Sequence, residues 1–573
     1  MKSKKLLALL MSAALAVSSF SACAASETSS EETSSSAEDS SSSETEETKL
    51  MDGDVEVSAP GEYPIVIGDT VTITAFGTPG SDSKTEHDSD LCAASAWFEE
   101  LTNVHIEWTL TTSADKTAKL NLLFQSGEYE DIIFGSGWDG AVQTSYAEQG
   151  YIISLNDYIE NDAYWYNEFV DALLEEELVE QSSLDTMYLL DGNIYSMYSI
   201  ATTYHTQYAS KMWIYEPWLD TLDLDMPTTT DEFYDVLTAF KTEDPNGNGI
   251  ADEIPLSGAN GGWNSNPIEF LMNSFTYYDI SGKTYVNDGV VTLSYTEDEF
   301  KDGLIWMNML YEEGLLSQDA FVQDASGLKI LTTGEVNLVG CAPGGSIASV
   351  TTVTTGVDGD WTNWVALAPL EGPDGVQYSK YSPITPTANA QITDNCEYAR
   401  VAFKLIDALY DWEGVGYNLY QGEDYWELYP EDTVAINGES AKYLTWTPDE
   451  LNFGWSVATV WTGGPGWHSY QAMASESADI DNEAILYNSS IPYEEYAPSI
   501  DYILPSLIYD EDDSDAVVDY TTALNEYVNA ETVDMILTGD IEEKWEQYLS
   551  DIEARGSNEL LEIQQAAYEA RVG

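Results

Sequence analysis

Alternating and helical patterns of apolar residues predict a β-α-β-α-β order at the start of the folded part of the chain. The segment "TVTITAFG" (70–77) alternates and is rich in β-branched residues, as strands are. It is followed by a helical pattern in "LCAASAWFEEL", a strand pattern in "VHIEWTL", a helical pattern in "KTAKLNLLFQSG" and a strand pattern in "YEDIIFG". This order predicts an α/β fold with a parallel sheet, and ligands at the carboxyl ends of its strands.

A further helical pattern leads directly into a candidate metal loop. Thr229 and Glu232 have the spacing of a capping box. The apolar stripe that follows consists of Phe233, Val236, Leu237 and Phe240. Further helices are predicted around "FKDGLIWMNMLYEEG", around "CEYARVAFKLIDALYDWEG" and in a tail with Ile541, Trp545, Leu549 and Ile552 on one face.

The segment "DPNGNGIADE" (244–253) places Asp and Asn at alternate positions before a glycine, as the first half of an EF-hand loop does. The position at which an EF-hand carries its bidentate Glu falls on Pro255, so the loop is shortened. The expected Ca²⁺ ligands are Asp244, Asn246, Asn248, the Ile250 carbonyl, Asp252 and a bidentate Glu253. The alternative is an Asn/Gly-rich turn without metal. A calcium ion here would be structural, since neither a second helix nor a second loop follows.

The segment "GSGWDG" (135–140) fits the dinucleotide motif G-x-G-x-x-G after a strand. Trp138 and Asp139 would put bulk and negative charge where a pyrophosphate must approach backbone amides, so we reject that interpretation. The segment is predicted to be a loop at the mouth of a ligand cleft, with Trp138 facing the ligand.

Four tryptophans lie in loops rich in Gly and Asn, without helical periodicity, and Tyr204 and His205 come just after the strand region "DGNIYSMYSI". Such residues can stack on a sugar ring and bond its hydroxyls, although packing within the core is the alternative for each of them. The candidates for substrate binding are Trp138, Asp139, Tyr204, His205, Trp263, Asn264, Trp461 and Trp467.

The N-terminus predicts export and lipid anchoring. A basic start and an apolar segment (6–17) precede "SSFSAC", which resembles the lipobox of bacterial lipoproteins and implies lipidation of Cys23. An ordinary cleaved secretory signal is the alternative. Residues 1–22 are thus a signal peptide, and residues 23–62, rich in Ser, Thr and Glu, are expected to be a disordered tether. No later segment is apolar and long enough to span a membrane.

The formal net charge of −83 argues against nucleic acid and anionic lipid as partners. The scarcity of Lys and Arg also favours a neutral ligand over an acidic one. Besides Cys23, the chain has Cys92, Cys341 and Cys396, which permit at most one disulfide or three small buried thiols.

Eight segments in order resemble the extracellular solute-binding lipoproteins of bacterial ABC sugar importers, in particular the calcium-containing subgroup with the alginate-binding proteins. They are "WFEELTNVHIEW", "LLFQSGEYEDIIFG", "GYIISLNDYI", "LDGNIYSMYSI", "MPTTTDEFYDVLTAFKTEDPNGNGIADEIP", "YEEGLLSQDAF", "APLEGPDG" and "LTGDIEEKWEQYLSDIEARG". The resemblance supports the calcium ligands above. It implies two α/β lobes, each a mainly parallel sheet with flanking helices, that close on a ligand.

From this resemblance we expect a first lobe of residues 63–205 plus about 335–390, and a second lobe of 206–334 plus about 391–573. The expected function is capture of an oligosaccharide, by a monomer on the outer face of the cytoplasmic membrane, for an ABC permease. The motifs G-x-S-x-G, H-E-x-x-H and the P-loop are absent, and we expect no enzymatic activity. A glycan-degrading surface enzyme and a peptide-binding or adhesion lipoprotein remain the alternatives, because a pair of catalytic carboxylates cannot be recognised among 102 acids.

Overall fold

Alternating apolar residues build a first sheet from both halves of the chain. The computed structural model describes residues 49–77, 93–111, 115–175, 178–179, 181–200, 202–354, 356–420, 426–430, 432–438, 440–441, 443–445 and 480–572. The described strands of the first sheet are, in spatial order, Val104–Leu110, Val71–Gly77, Ile132–Phe134, Thr387–Ile392 and Met197–Ser199. The first three are parallel, which confirms the predicted β-α-β-α-β unit. The strand Thr387–Ile392 returns antiparallel to both of its neighbours.

A second sheet has its own core. Its described strands are, in order, Trp364–Leu367, Met212–Tyr215, Val339–Pro343 and Ile254–Leu256. Only the pairing of Val339–Pro343 with Ile254–Leu256 is parallel, and the other two pairings are antiparallel. This sheet is therefore mixed rather than mainly parallel, because Met212–Tyr215 enters it directly from the first sheet.

Short two- and three-stranded sheets complete the described strands: Leu50–Asp52, Val55–Val57 and Val66–Ile67; Thr284–Asn287 and Val290–Leu293; Trp426–Leu428 and Tyr443–Thr445. The described α-helices are Ala93–Thr102, Lys116–Ser126, Gly140–Glu148, Asn156–Asn161, Trp165–Glu175, Gln181–Leu184, Tyr204–Gln207, Glu216–Leu222, Thr230–Thr242, Pro267–Met272, Asp298–Glu312, Ala325–Thr332, Ile347–Val350, Ala399–Ala408, Tyr417–Tyr420, Asn482–Glu494, Glu511–Thr538, Ile541–Glu553 and Ser557–Val572.

Helix starts and buried faces follow the sequence pattern closely. The Thr229 side chain accepts a hydrogen bond from the Glu232 amide at 3.1 Å and begins the helix Thr230–Thr242. All four residues of the predicted stripe are buried in the core of the second sheet. In the tail helix Ile541–Glu553, Tyr548 is also buried, beside the predicted apolar face.

The expected domain boundaries differ from the observed pairings in two places. Val339–Pro343 and Trp364–Leu367, expected in the first lobe, pair within the second sheet. The helix Ala399–Ala408, expected in the second lobe, packs in the core of the first sheet. Local patterns cannot show which sheet an apolar segment joins, because both cores accept the same residue types.

The folded body begins earlier than the expected tether boundary at residue 62. Leu50–Asp52 and Val55–Val57 form antiparallel strands, and Val57 is buried in the core of the first sheet. The Asp52 carboxylate accepts a hydrogen bond from the Val401 amide at 2.9 Å, which ties this hairpin to the helix Ala399–Ala408.

Candidate functional site

The carboxyl ends of strands in both sheets point towards the segments that join them. In the first sheet, Ile132–Phe134 ends at the loop 135–139, and Met197–Ser199 continues into the crossing segment 200–211. In the second sheet, Ile254–Leu256 ends before the loop 259–266, which we call the tryptophan loop. Ligands in open α/β sheets bind at such edges, so these loops form the candidate site.

A cavity of about 420 Å³ lies at the edge of the first sheet, and we call it the hinge cavity. Its lining includes Gly135, Gly137, Thr206, Gln207, Thr387 and Asn389, and none of the described residues that line it is charged. The Gly135 amide donates to both the Asn389 carbonyl at 2.7 Å and the Asn389 side-chain oxygen at 3.0 Å. The polar part of this surface therefore consists of hydroxyl and amide groups, beside the apolar Pro383, Ile384 and Ala388.

Trp138 and Asp139 are adjacent to the hinge cavity but have structural partners. Trp138 is half-buried and packs against Tyr146 at 4.7 Å between ring centroids. Asp139 caps the helix Gly140–Glu148, since its carboxylate accepts a hydrogen bond from the Val142 amide at 2.9 Å. Neither residue lines the hinge cavity, whereas Gly137 does.

Tyr204 and His205 lie on the crossing segment and bind the helix Asn482–Glu494. The Tyr204 hydroxyl donates to Glu494 at 2.8 Å, and Nε2 of His205 is 3.2 Å from Oε2 of Glu483. The His205 ring also meets the Trp263 ring edge to face at a centroid distance of 6.0 Å. The structure thus brings two of the predicted residues, His205 and Trp263, into direct contact.

Trp263 and Asn264 line a second cavity of about 700 Å³, which we call the tryptophan cavity. It lies between the tryptophan loop and the helix Glu511–Thr538, and its lining includes Asn260, Asn266, Glu269, Glu526, Asn529 and Thr532. Trp263 remains 45% exposed, so one aromatic surface is accessible. No Lys, Arg or His of the described part of the chain lines this cavity.

A buried ion pair supports the tryptophan cavity. Lys380 lies 3.2 Å from Oε1 of Glu269 and 3.1 Å from Oδ1 of Asp279. The same Glu269 oxygen accepts a hydrogen bond from the Ile280 amide at 3.0 Å. Burial raises the pKa of the Glu269 carboxyl, and the Lys380 ammonium opposes that effect by favouring the ionised form.

Sequence reasoning missed the partners that come from distant segments. Glu483, Glu269 and Thr532 lie on helices whose local sequence reads as ordinary polar or amphipathic surface. Glu269 directly follows Pro267 and Ile268 at a helix start, which gives no sign of an ion pair with Lys380. Trp461 and Trp467, together with Cys23 and Cys92, lie outside the described residues, and Cys341 and Cys396 are free thiols.

The candidate calcium loop is held by its own side chains. The Asp244 carboxylate accepts a hydrogen bond from the Gly249 amide at 3.0 Å. Asn246 and Asn248 donate through their side-chain amides to the same Asp252 oxygen, at 3.2 and 3.0 Å. Among the described residues, no group of three or more His, Cys, Asp or Glu side chains is arranged as a metal site.

Glu253 is the feature of this loop that fits a cation. Both of its carboxylate oxygens are buried without a hydrogen-bond partner among the described residues. Burial raises the pKa of the Glu253 carboxyl, and the negative charges of Asp244 and Asp252 raise it further. A divalent cation would neutralise these three carboxylates, so the residues present suit Ca²⁺, whose ligands are oxygens.

Several known proteins are similar to most of this chain. No protein-family model matches the chain. The fructooligosaccharide ABC transporter substrate-binding protein FusA of Streptococcus pneumoniae serotype 4 is 28% identical over 493 residues, which are 82% of this chain and 86% of FusA. The structure of FusA in complex with kestose matches with a TM-score of 0.70 and 26% identity, over 87% of this chain and 99% of that one.

The chain is a homologue of ABC-transporter substrate-binding proteins. A FusA EF-hand mutant in complex with fructo-nystose matches with a TM-score of 0.71 and 25% identity, over 87% of this chain and 99% of that one. The alginate-binding protein AlgQ2, solved without calcium ion, shares the fold at 19% identity, with a TM-score of 0.63 over 88% of this chain and 99% of that one.

The lipoprotein LipO of Bacillus subtilis is 28% identical over 244 residues, which are 42% of this chain and 44% of LipO. These relatives favour a binding role over a glycan-degrading enzyme or an adhesin. Among the described residues, no helix combines the length and apolar character needed to cross a bilayer.

Proposed function

We propose that this protein captures an uncharged oligosaccharide between its two sheets and delivers it to an ABC permease. The observation that carries the proposal is the position of Trp263. It lines the tryptophan cavity, and its ring contacts His205, whose sequence neighbours Thr206 and Gln207 line the hinge cavity. An exposed indole in a cavity whose polar lining consists of amides, hydroxyls and carboxylates suits a sugar ring. FusA is a fructooligosaccharide-binding protein, and this similarity supports an oligosaccharide as the ligand here.

The charges of the two cavities favour a neutral saccharide. Among the described residues, neither lining contains Lys, Arg or His, and Glu269 and Glu526 add negative charge to the tryptophan cavity. A uronate would bring its carboxylate to these side chains without a cation to bind it. We therefore infer that acidic oligosaccharides such as alginate or polygalacturonate fragments bind much more weakly than neutral ones.

Closure of the two sheets around the saccharide would produce the closed, ligand-bound shape that the permease recognises. The crossing segments 200–211 and 368–386 join the sheets beside the hinge cavity, where Ser382 donates its amide to the Gln207 carbonyl at 2.8 Å. Contacts from both sheets to one ligand favour the closed state over the open one. We infer no enzymatic step for this process.

Calcium binding by the loop 244–253 is a further part of the proposal. Asp244, Asn246, Asn248, the Ile250 carbonyl, Asp252 and Glu253 would hold the ion. The buried oxygens of Glu253 support this assignment. The ion would be structural, because neither described cavity includes a residue of this loop.

Lipid attachment at Cys23 would place the protein on the outer face of the cytoplasmic membrane. The acidic Ser-rich segment after Cys23 would act as a flexible tether for a monomeric binding domain. Its relative LipO is a lipoprotein, which supports this localisation.

Titration calorimetry and thermal denaturation with a panel of oligosaccharides test the binding role. The panel holds kestose, nystose, maltotriose and xylotriose as neutral members and trigalacturonate as the acidic one. We expect at least one neutral member to bind and to raise the melting temperature, with no release of reducing ends. Selective binding of trigalacturonate would overturn the assignment to neutral saccharides, and saccharide cleavage would overturn the non-enzymatic assignment.

A further inference from the structure

Two buried polar atoms without hydrogen-bond partners line the tryptophan cavity. Oε1 of Glu269 is bonded by Lys380 and by the Ile280 amide, and the Ser210 side chain also interacts with this carboxyl group, but Oε2 makes no hydrogen bond of normal geometry with the described residues. Across the cavity, the Thr532 hydroxyl on the helix Glu511–Thr538 is also buried and unpartnered in the part of the chain that the structure describes. Leaving a buried polar group unpaired costs free energy, so two at one cavity point to a polar ligand.

Both atoms are held in place by the surrounding structure. Glu269 is only 1% exposed, and Lys380 and the Ile280 amide fix the orientation of its carboxylate. The loop 278–281 is anchored to the helix Glu511–Thr538 through Lys283. The Lys283 ammonium donates to the Ile280 carbonyl at 2.6 Å and to the Asn525 side-chain oxygen at 3.0 Å. Thr532 is 2% exposed and lies further along this helix. The two residues thus line the cavity from fixed elements.

We propose that the tryptophan cavity is a subsite for one sugar residue, whose hydroxyls bond to Glu269 and Thr532 while its ring packs on Trp263. This inference rests on the proposed saccharide-binding function and assigns specificity-determining residues to it. Oε2 of Glu269 accepts a hydroxyl hydrogen bond, and the Thr532 hydroxyl can accept or donate one. The carboxylates of Glu269 and Glu526 make the subsite select an uncharged sugar residue over an acidic one.

Matched threonine variants separate this role from a general effect of losing a buried hydroxyl. The Thr238 hydroxyl on the helix Thr230–Thr242 is likewise buried, but it lies outside both cavities, and the Thr238 side chain interacts with Tyr234 on the same helix. Thr532→Val and Thr238→Val therefore both remove a buried helical hydroxyl, and of the two residues only Thr532 lines a cavity. Kestose and nystose are titrated into the full chain of each variant and into Glu269→Gln.

We expect Thr532→Val to weaken saccharide binding about fivefold to tenfold, as for one lost hydrogen bond, and Thr238→Val to leave it within about twofold. Glu269→Gln should weaken binding by at least about tenfold, because a bond to a charged acceptor is lost. Thermal denaturation shows whether Glu269→Gln folds. If Glu269→Gln does not fold, the saccharide affinity of Thr532→Val alone tests the subsite.

Unchanged affinity in Thr532→Val, or in a folded Glu269→Gln, overturns the subsite while leaving the saccharide-binding function intact. An equal loss in Thr238→Val also overturns it. If no member of the saccharide panel binds the unaltered protein, the proposed function and this subsite fall together.

Discussion

The indole of Trp263 lies directly against the backbone of Gly345. The Gly345 amide donates to the Trp263 carbonyl at 2.8 Å, and a Cβ at position 345 would lie within 2.7 Å of the ring atoms Cε3 and Cε2. Gly345 follows the strand Val339–Pro343, whereas Trp263 follows Ile254–Leu256, so the parallel pairing of these strands brings the two residues together. The position of the indole depends on the absence of a side chain at residue 345.

Gly345→Ala should therefore displace Trp263 and weaken saccharide binding. The overlap with the indole is relieved only by moving the ring, at a stability cost of about 1–3 kcal/mol. We expect an affinity loss of about tenfold or more, with a change in tryptophan fluorescence, measured by calorimetry with kestose. Gly282→Ala is the control, since a Cβ there meets only Oγ1 of Thr284 at 3.7 Å. Equal affinity in the two variants would show that the position of Trp263 does not matter for binding.

Calcium should stabilise the protein through the loop 244–253. With a dissociation constant on the order of 10⁻⁴–10⁻³ M, 10 mM Ca²⁺ adds about 1.4–2.7 kcal/mol to the free energy of unfolding. We expect chelation to lower the melting temperature of the wild type and Glu253→Gln to abolish the calcium response. Asp235→Asn, which removes an exposed carboxylate from the preceding helix, should retain the response. A melting curve that is insensitive to chelator and calcium would rule out the site.

Lys211 should make stability depend on pH. The side chain is fully buried, and burial lowers its pKa from 10.5 to about 7. Between about pH 7 and pH 10.5 the unfolded chain binds more protons than the folded one. The free energy of unfolding therefore rises as the pH rises from about 7, and it falls as the pH drops back towards about 7. The contribution is on the order of a few kcal/mol.

Denaturant unfolding between pH 7 and 9 tests this linkage. Lys211→Met should show a flatter rise in the free energy of unfolding than the wild type, because it removes the titrating amine. Met212→Leu changes the neighbouring buried residue without removing an ionisable group, and it should keep the slope of the wild type. Identical slopes in Lys211→Met and the wild type would contradict the buried, uncharged amine.

Cys23→Ala should release the protein from the membrane. Without the thiol no lipid can be attached, and the acidic tether has no affinity of its own for an anionic surface. Fractionation of cells into membrane and soluble protein measures the effect, and Cys396→Ala serves as the control. Retention of Cys23→Ala in the membrane fraction would show that another segment anchors the chain.

Local pattern alone predicted the elements whose partners are close in sequence. The helix Thr230–Thr242 begins at its capping Thr229, and Phe233 and Phe240 are buried as the spacing requires. The parallel unit of Val71–Gly77, Val104–Leu110 and Ile132–Phe134 also followed from the sequence. Hydrophobic periodicity and capping act over a few residues, so one sequence is enough to read them.

The candidate site was predictable only in part. Trp263 could be selected because an aromatic residue in a Gly- and Asn-rich loop rarely serves a helix face, and His205 because it comes just after a predicted strand. That they touch each other, and that Trp263 packs on Gly345, depends on loops from different strands. Trp138 met the same sequence criterion, yet it packs against Tyr146.

By itself the sequence determined the α/β character of the body, and it predicted the export signal, the acidic tether and the shortened calcium loop, because each depends on composition or short-range spacing. The tertiary structure alone decided which sheet Val339–Pro343 joins, that Lys380 neutralises Glu269, and that Thr532 faces the cavity beside Trp263. These relationships join residues far apart in the chain. The free energy that stabilises these contacts comes from burial and pairing, which exist only once the two sheets and the C-terminal helices have packed.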